Sequence, residues 1–375
     1  MPDLVAVALP AGPAFVVALQ RIWDRGDAAL SVDLRLPLPA RRSLLEAMAP
    51  ASLLDVDGEQ PQDGGRPVEA GDALVVATSG TTGEPKGVVL THDAVVASAT
   101  ATSSRLGVAR GDHWLACLPL AHVGGLSVVT RAMVTGTPLT VLPGFDAAAV
   151  EAAARAGATL VSLVATALAR VDPARFRVIV LGGARPPADL PGNVVTTYGL
   201  SETGSGVVYD GRPLDGVEVR VADDGEIHLR GPMLLRVYRD GADPKDADGW
   251  LPTGDLGRLD ADGRLVVHGR RGDLVITGGE NVWPDAVESA LAEHPGVAEV
   301  VVAGRPDAEW GQRVVAFVVP VADATPPDLD GLRAWVKERL PAFCAPRELA
   351  LVERIPRTAL GKPRRDLLLA DPSRP

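Results

Sequence analysis

Residues 76–88 read VATSGTTGEPKGV. Between the apolar runs Ala73–Ala77 and Val88–Leu90, the core from Thr78 to Lys86 carries four hydroxyls, two glycines and one lysine. A glycine-rich turn can aim successive backbone N–H groups at one point, and hydroxyls and an ammonium add donors that match phosphate oxygens. Anion binding is therefore the first inference. An ordinary P-loop needs glycine immediately before its lysine and Ser/Thr immediately after it. Here the neighbours are Pro85 and Gly87, so that form of phosphate loop is set aside.

The whole chain narrows the class further. Its 375 residues exceed the size at which one core usually stops growing, and 46% hydrophobic content can fill two domains. A formal net charge of −11 argues against a nucleic-acid partner and favours small molecules. Cys117 and Cys344 lie far apart and read as reduced thiols of a cytoplasmic protein. The N-terminus has Asp3 in place of a basic region, and Pro10 and Pro13 break its apolar stretch, so no targeting signal is expected. No run of 18 apolar residues occurs, and no membrane span is expected. A homodimer is left open.

Elements alternate along the first half. Met1 to about Ala70 reads as a loosely patterned αβ entry region, followed by a strand over 73–78, a helix over 91–106 capped by Thr91, a strand over 114–118 and a helix over 125–134. A short strand over 139–142 and an alanine-rich helix over 146–156 precede RVIVL (177–181) and NVVTT (193–197), near-continuous strands of the kind buried on both faces. Past Tyr209, short alternating strands at 217–221, 226–230 and 264–268 are separated by Asp-Gly turns. From about Arg270 the pattern resets to a compact α+β unit, with helices over 284–291 and 329–340 and strands over 297–303 and 313–320. The segment IPRTALGKPRRDLL has little regular pattern.

Four clusters could carry chemistry. Tyr198-Gly199-Leu200-Ser201-Glu202-Thr203-Gly204-Ser205-Gly206 follows a strand at the carboxyl end where open α/β sheets bind ligands, or is a flexible loop. Gly182-Gly183-Ala184 follows the preceding strand and could let an adenine lie against backbone. Asp255, between glycines, is either an Asx turn or a hydroxyl-gripping group. Arg270, fifteen residues on, could complete a donor–acceptor pair for a ribose diol or form a surface ion pair. Lys362 alone reads as a solvated charge or as chemistry, and His122 as a satisfied loop histidine or a site residue.

In sequence order, TSGTTGEPKGV (78–88), LPLAHVGGL (118–126), LGGA (181–184), TYGLSETG (197–204), GWLPTGDLG (249–257), GRRGDLVITGGENVWP (269–284) and PRTALGK (356–362) together resemble the acyl-adenylate-forming enzymes, a family that includes acyl- and aryl-CoA synthetases. The resemblance spans about three quarters of the chain. It implies an α/β fold: a truncated N-terminal domain of layered α/β sheets with a β-rich lobe (1–269), and a small mobile α+β domain (270–375). It also implies two half-reactions, in which a carboxylate attacks the α-phosphorus of Mg-ATP to release pyrophosphate and a thiol of coenzyme A then displaces AMP.

The resemblance assigns roles residue by residue. Thr78, Ser79, Gly80, Thr81, Thr82, Gly83 and Lys86 would wrap the β- and γ-phosphates, with Glu202 facing Mg²⁺. Tyr198, Gly199, Ser201 and Gly183 would border the nucleotide, and Asp255 with Arg270 would hold the ribose. Lys362 would bridge the acyl carboxylate and α-phosphate, with His122 near both. Rotation about Gly272 would bring Gly278-Gly279-Glu280-Asn281 to the pantetheine arm, and Arg271 is a candidate for the CoA phosphates. Within the family the resemblance is to the o-succinylbenzoate-CoA ligases of menaquinone biosynthesis in their short actinobacterial form, through LPLAHVGGL and GLSETGSGVVYDGRPLDGVEVRV. That implies an aromatic carboxylate substrate, with His122, Ser201, Ser205 and the backbone at Gly206 as candidates for its second carboxylate. Its ring is expected beside Val207 and Val208, with Tyr209 on the opposite side. The chain departs from the family in having only 77 residues before Thr78, and in glycine at 272 where aspartate or lysine is common.

Overall fold

The computed structural model describes the chain except residues 80–84, 185, 188, 323, 358–362 and 371–375, and of Ser79 only the backbone. The phosphate-loop segment is entered by the strand Asp72–Ser79 and left by Pro85–Thr91, which pair antiparallel with Thr78 opposite Lys86. The loop thus joins the arms of a hairpin, whereas a P-loop opens a helix. The hairpin belongs to a seven-stranded sheet ordered Val237–Tyr238, Pro85–Thr91, Asp72–Ser79, Ala28–Ser31, Leu4–Val7, Ser52–Asp55, Gly58–Pro61. Its centre is parallel, and the strands Leu4–Val7 and Ala28–Ser31 are buried at every residue. The entry region is therefore a regular half of this sheet, with helices Pro13–Asp24 and Leu38–Met48.

A second seven-stranded sheet runs Arg212–Pro213, Gly206–Tyr209, Val194–Gly199, Val178–Leu181, Leu160–Leu163, Trp114–Ala116, Leu139–Val141. The strand Leu160–Leu163 was not anticipated, because VSLVATALA is apolar without a period that separates strand from helix. Val178–Leu181 is buried as expected, but Val194–Gly199 is mostly half-buried. It is the last parallel strand, paired antiparallel on its far side with Gly206–Tyr209, and its end leads into the Tyr198–Gly206 loop. Helices His92–Arg105 and Val123–Thr135 pack against each other. Thr91 caps the first, its hydroxyl accepting Ala94 N–H at 3.1 Å.

A four-stranded sheet comprises Glu218–Val221, Glu226–Arg230, Leu251–Leu259 and Leu265–Arg270. Leu251–Leu259 is a strand despite Pro252, Gly254 and Gly257, so the Asx-turn reading of Asp255 is overturned. The last sheet contains Glu280–Val282, Val275–Thr277, Gly311–Pro320, Val297–Asp307 and Glu348–Leu351, with helices Pro284–Ala292 and Leu329–Lys337 contributing to its core. Pro284 begins its helix as expected. The C-terminal segment is more regular than its sequence suggested: Arg357 and Pro363 form an antiparallel bridge, and Arg365–Leu369 is a short helix.

The chain divides into two compact units. One comprises Met1–Arg220, His228–Pro252 and Asp260–Leu265; the other comprises Val221–Ile227, Thr253–Leu259 and Val266–Pro375. Among the described residues no helix is long and apolar enough to cross a membrane. Cys117 and Cys344 are buried free thiols, and burial pushes Cys117 up to about 12, which makes it a poor nucleophile.

Candidate active site

In the first unit, three side chains from separate segments meet. Lys86 stands at the start of the hairpin's second arm, Glu202 in the short turn Ser201–Thr203, and Tyr238 in the edge strand Val237–Tyr238. The Tyr238 hydroxyl donates to Glu202 Oε1 at 2.9 Å, and Lys86 Nζ lies 5.3 Å from the Tyr238 ring centroid. Among the described residues no group of three or more His, Cys, Asp or Glu could hold a metal ion by itself. A single carboxylate beside Lys86 suits Mg²⁺, which keeps several waters and is commonly held by one or two carboxylates plus substrate phosphates. Thr78 donates to the Lys86 carbonyl at 3.4 Å across the hairpin. Gly80, Thr81, Thr82, Gly83 and the Ser79 side chain lie outside the described residues.

The loop after Tyr198 is tightly folded, in contrast to the flexible alternative. The Thr203 hydroxyl accepts Leu200 N–H at 2.9 Å and donates to the Ser205 carbonyl at 2.7 Å. A Cβ on Gly199 would lie 2.2 Å from that carbonyl, so only glycine fits at this bulge. Gly183 has φ +87°, a conformation that favours glycine. Tyr198 pairs with Val208 and Gly199 with Gly206, so Val207 is the extra residue of the bulge and the regular alternation of side chains is interrupted there. All three of Val207, Val208 and Tyr209 are buried, and the Tyr209 hydroxyl lies 3.3 Å from that of Thr102.

Behind this loop is a residue that the motifs did not indicate. Arg131, on helix Val123–Thr135, is 2% exposed and donates to the Ser205 hydroxyl at 3.1 Å. Its guanidinium lies 4.8 Å from the Trp114 ring, and its Nε and Nη1 have no hydrogen-bond partner among the described residues. Burial pushes its pKa down. The only signal in sequence was a lone arginine inside the apolar run LSVVTRAMV.

His122 is the N-cap of the same helix but makes no side-chain cap. Its Nε2 lies 3.2 Å from Arg35 Nη2 and 3.4 Å from Asp33 Oδ2. Asp33 is buried, a setting that by itself raises a carboxyl pKa, but hydrogen bonds from the Arg35 side chain and backbone hold it below the ordinary value. Neither residue was singled out from sequence.

The second unit brings Asp255 and Arg270 together, Arg270 Nε lying 2.9 Å from Asp255 Oδ1. Arg271 is engaged by Asp224 at 2.8 Å and Glu226 at 3.0 Å. Gly278 and Gly279, with φ +60° and +83°, form the two-residue turn between Val275–Thr277 and Glu280–Val282, a geometry in which both central residues take positive φ. These glycines are thus required by the hairpin itself, apart from any ligand. Lys362 lies outside the described residues.

A profile of the AMP-binding enzyme family matches residues 57–239, and one of the AMP-binding enzyme C-terminal domain matches residues 286–362. The chain belongs to this family. It is 39% identical to the "Probable 2-succinylbenzoate--CoA ligase" of Mycobacterium tuberculosis (strain ATCC 25618 / H37Rv), with 95% of each chain covered. It is 36% identical to the 2-succinylbenzoate--CoA ligase of Listeria monocytogenes serotype 4b (strain F2365), over 79% of this chain and 69% of that one. Its fold is similar to that of o-succinylbenzoate CoA synthetase from Bacillus subtilis in complex with the acyl-adenylate intermediate, with a TM-score of 0.87, 31% identity and coverage of 98% of this chain and 88% of the other. The adenylate-forming fold implied by the motifs is the fold found.

Proposed function

We propose that the chain is an ATP-dependent, AMP-forming ligase that adenylates o-succinylbenzoate and transfers the acyl group to coenzyme A in the cytoplasm. The observation that carries the substrate class is Arg131: a buried guanidinium with two nitrogens lacking partners among the described residues, hydrogen-bonded to Ser205 of the loop that follows Tyr198. A buried cation is costly unless paired. o-Succinylbenzoate keeps one carboxylate charged after the other is activated, and that spectator group is the anion Arg131 would receive, with Ser205 between them.

In the first half-reaction a carboxylate oxygen of the substrate bonds to the α-phosphorus of ATP and the bond to the β-phosphate breaks. Lys86 would neutralise the departing pyrophosphate, and Glu202 would hold Mg²⁺, which offsets phosphate charge when bound. Asp255 accepts and Arg270 donates, the combination a ribose diol needs. Lys362 would place positive charge on the pentavalent centre. In the second half-reaction the thiol sulfur of coenzyme A bonds to the acyl carbon, AMP leaves, and the thiol proton is released. Residues 270–375 would turn about Gly272 between the two, bringing Gly278–Asn281 to the thiol. The Arg35–His122 contact supports a positioning role for His122, since the attacking carboxylate needs no base.

The test is pyrophosphate release with CoA present, using o-succinylbenzoate, benzoate, acetate and fatty acids, on the wild type and Arg131→Met. Turnover confined to o-succinylbenzoate, with its KM raised at least tenfold by the substitution, is expected. Comparable turnover on benzoate would overturn the substrate assignment.

A further inference from the structure

We propose that Tyr238 is a positioning residue that prepares the phosphate end of the site by holding Glu202 and Lys86 apart, each on a different part of one phenol. This rests on the assignment of Lys86 to the ATP phosphates and Glu202 to their Mg²⁺. Holding the two charged groups on separate parts of one phenol keeps them from pairing with each other, so neither has to be released from the other before it meets phosphate or metal. The Tyr238 hydroxyl occupies Glu202 Oε1 at 2.9 Å, and its ring faces the Lys86 ammonium at 5.3 Å, within the range of a cation–π contact. Fixing one carboxylate oxygen also sets the direction of the other, the way outer partners orient metal-binding carboxylates.

The local architecture explains why this side chain is there. Tyr238 pairs across the sheet with Val88, two residues beyond Lys86, so Lys86 is its diagonal neighbour on one face, within reach of an aromatic and a long side chain. The backbone on either side is locked. Arg236 N–H donates to the Val89 carbonyl at 2.9 Å, Arg239 N–H to Gly87 at 2.7 Å, and Leu235 N–H to the Glu202 carbonyl at 2.7 Å. Lys245 Nζ closes the following loop by donating to the Leu235 and Arg236 carbonyls at 2.9 and 2.8 Å. Tyr238 is thus tied by main chain to both segments whose charged groups it separates.

Two variants divide its functions: Tyr238→Phe keeps the ring and removes the hydroxyl, and Tyr238→Leu removes both. ATP binding is measured by equilibrium dialysis in EDTA and across a Mg²⁺ titration, and thioester formation from supplied acyl-adenylate and CoA is followed separately. For Tyr238→Phe the half-saturating Mg²⁺ concentration should rise about 10- to 100-fold, with metal-free ATP affinity within twofold of wild type. Tyr238→Leu should show the same rise and also lose about two- to fivefold in metal-free ATP affinity, the scale of a partly exposed cation–π contact. Thioester formation should be unchanged in both. An unaltered Mg²⁺ requirement in Tyr238→Phe, or equal losses in both half-reactions, would overturn the proposal. Glu202→Gln and Lys86→Met in the same assays test the underlying assignment. If Glu202→Gln leaves the Mg²⁺ requirement unchanged, that assignment fails and the proposal falls with it; if it raises the requirement while Tyr238→Phe does not, only the proposal falls.

Discussion

Asp255 and Arg270 form an ion pair between a carboxylate with 10% of its side chain exposed and a guanidinium that is about half exposed. The same arginine donates through Nη1 to the Thr253 carbonyl at 3.0 Å, and the Thr253 hydroxyl in turn accepts Asp255 N–H at 3.1 Å. The pair is therefore held at two points on one strand. A hydrogen bond to a charged group contributes about 1.5–3 kcal/mol. Asp255→Asn should accordingly weaken AMP binding roughly 10- to 100-fold, measured by titration calorimetry. Arg270→Lys, which keeps the charge and loses the fork, should weaken it less. Unchanged AMP affinity in Asp255→Asn would exclude a ribose contact there.

Lys362→Ala should abolish one half-reaction selectively. Loss of one well-placed transition-state donor costs about 3–4 kcal/mol, or roughly 10²- to 10³-fold in rate. Pyrophosphate release should fall by that factor, while thioester formation from supplied acyl-adenylate stays within a few-fold of wild type. Equal losses in both would show that the lysine does not act at the α-phosphate.

Gly272 stands in the turn Arg271–Asp273, its φ outside the left-handed region, and an added Cβ would meet nothing within 4 Å among the described residues. Nothing in this conformation requires glycine at 272, which contrasts with Gly278, where φ is +60° and a Cβ would lie 2.8 Å from the Trp310 ring. Gly278→Ala should destabilise the protein by about 1–2 kcal/mol from the left-handed backbone alone, seen as a lower urea midpoint. Gly272→Ala should leave the midpoint and adenylation unchanged. If residue 272 is the pivot, thioester formation falls at least tenfold; thioester formation equal to wild type would place the pivot elsewhere.

Asp112 accepts from Arg177 at 2.7 and 2.8 Å, from the Thr159 hydroxyl at 2.8 Å and from Ala109 N–H at 2.9 Å. Burial raises its pKa, but these donors outweigh it and hold the carboxyl below the ordinary value. A carboxyl whose folded pKa is depressed stabilises the fold above its unfolded value, about 3.9, and that contribution is lost as pH falls through the folded value. Asp112→Asn should therefore cost about 1.5–3 kcal/mol at pH 7, measured by urea denaturation, and the difference from wild type should shrink below about pH 4. A difference independent of pH would mean that the charge is not what stabilises.

The elements that sequence anticipated best are those whose signal is local. Thr91 and Asp146 each accept an N–H three residues on, and Pro284 removes an orphan donor from its first turn; each stands at the start of an expected helix. Leu160–Leu163 and Leu251–Leu259 escaped notice because burial between neighbouring strands, which is not local, decides whether an apolar or glycine-bearing run becomes strand.

The site divides the same way. Glycine spacing, hydroxyl content and the family resemblance carried by seven motifs singled out the Thr78–Lys86 loop, Glu202, Asp255 and Arg270 as candidates, because backbone turns and donor chemistry are written in short stretches. Tyr238, Arg131, Asp33 and Arg35 carry no such mark. Tyr238 reaches Glu202 across 36 residues of chain, and Arg131 reaches Ser205 across 74. The pairing of Val237–Tyr238 with Pro85–Thr91 brings Tyr238 to Lys86, and a hydrogen bond from helix Val123–Thr135 joins Arg131 to the Tyr198–Gly206 loop. Short stretches encode which groups can bind phosphate, while burial and strand register, set by the whole fold, decide which cations and hydroxyls surround them.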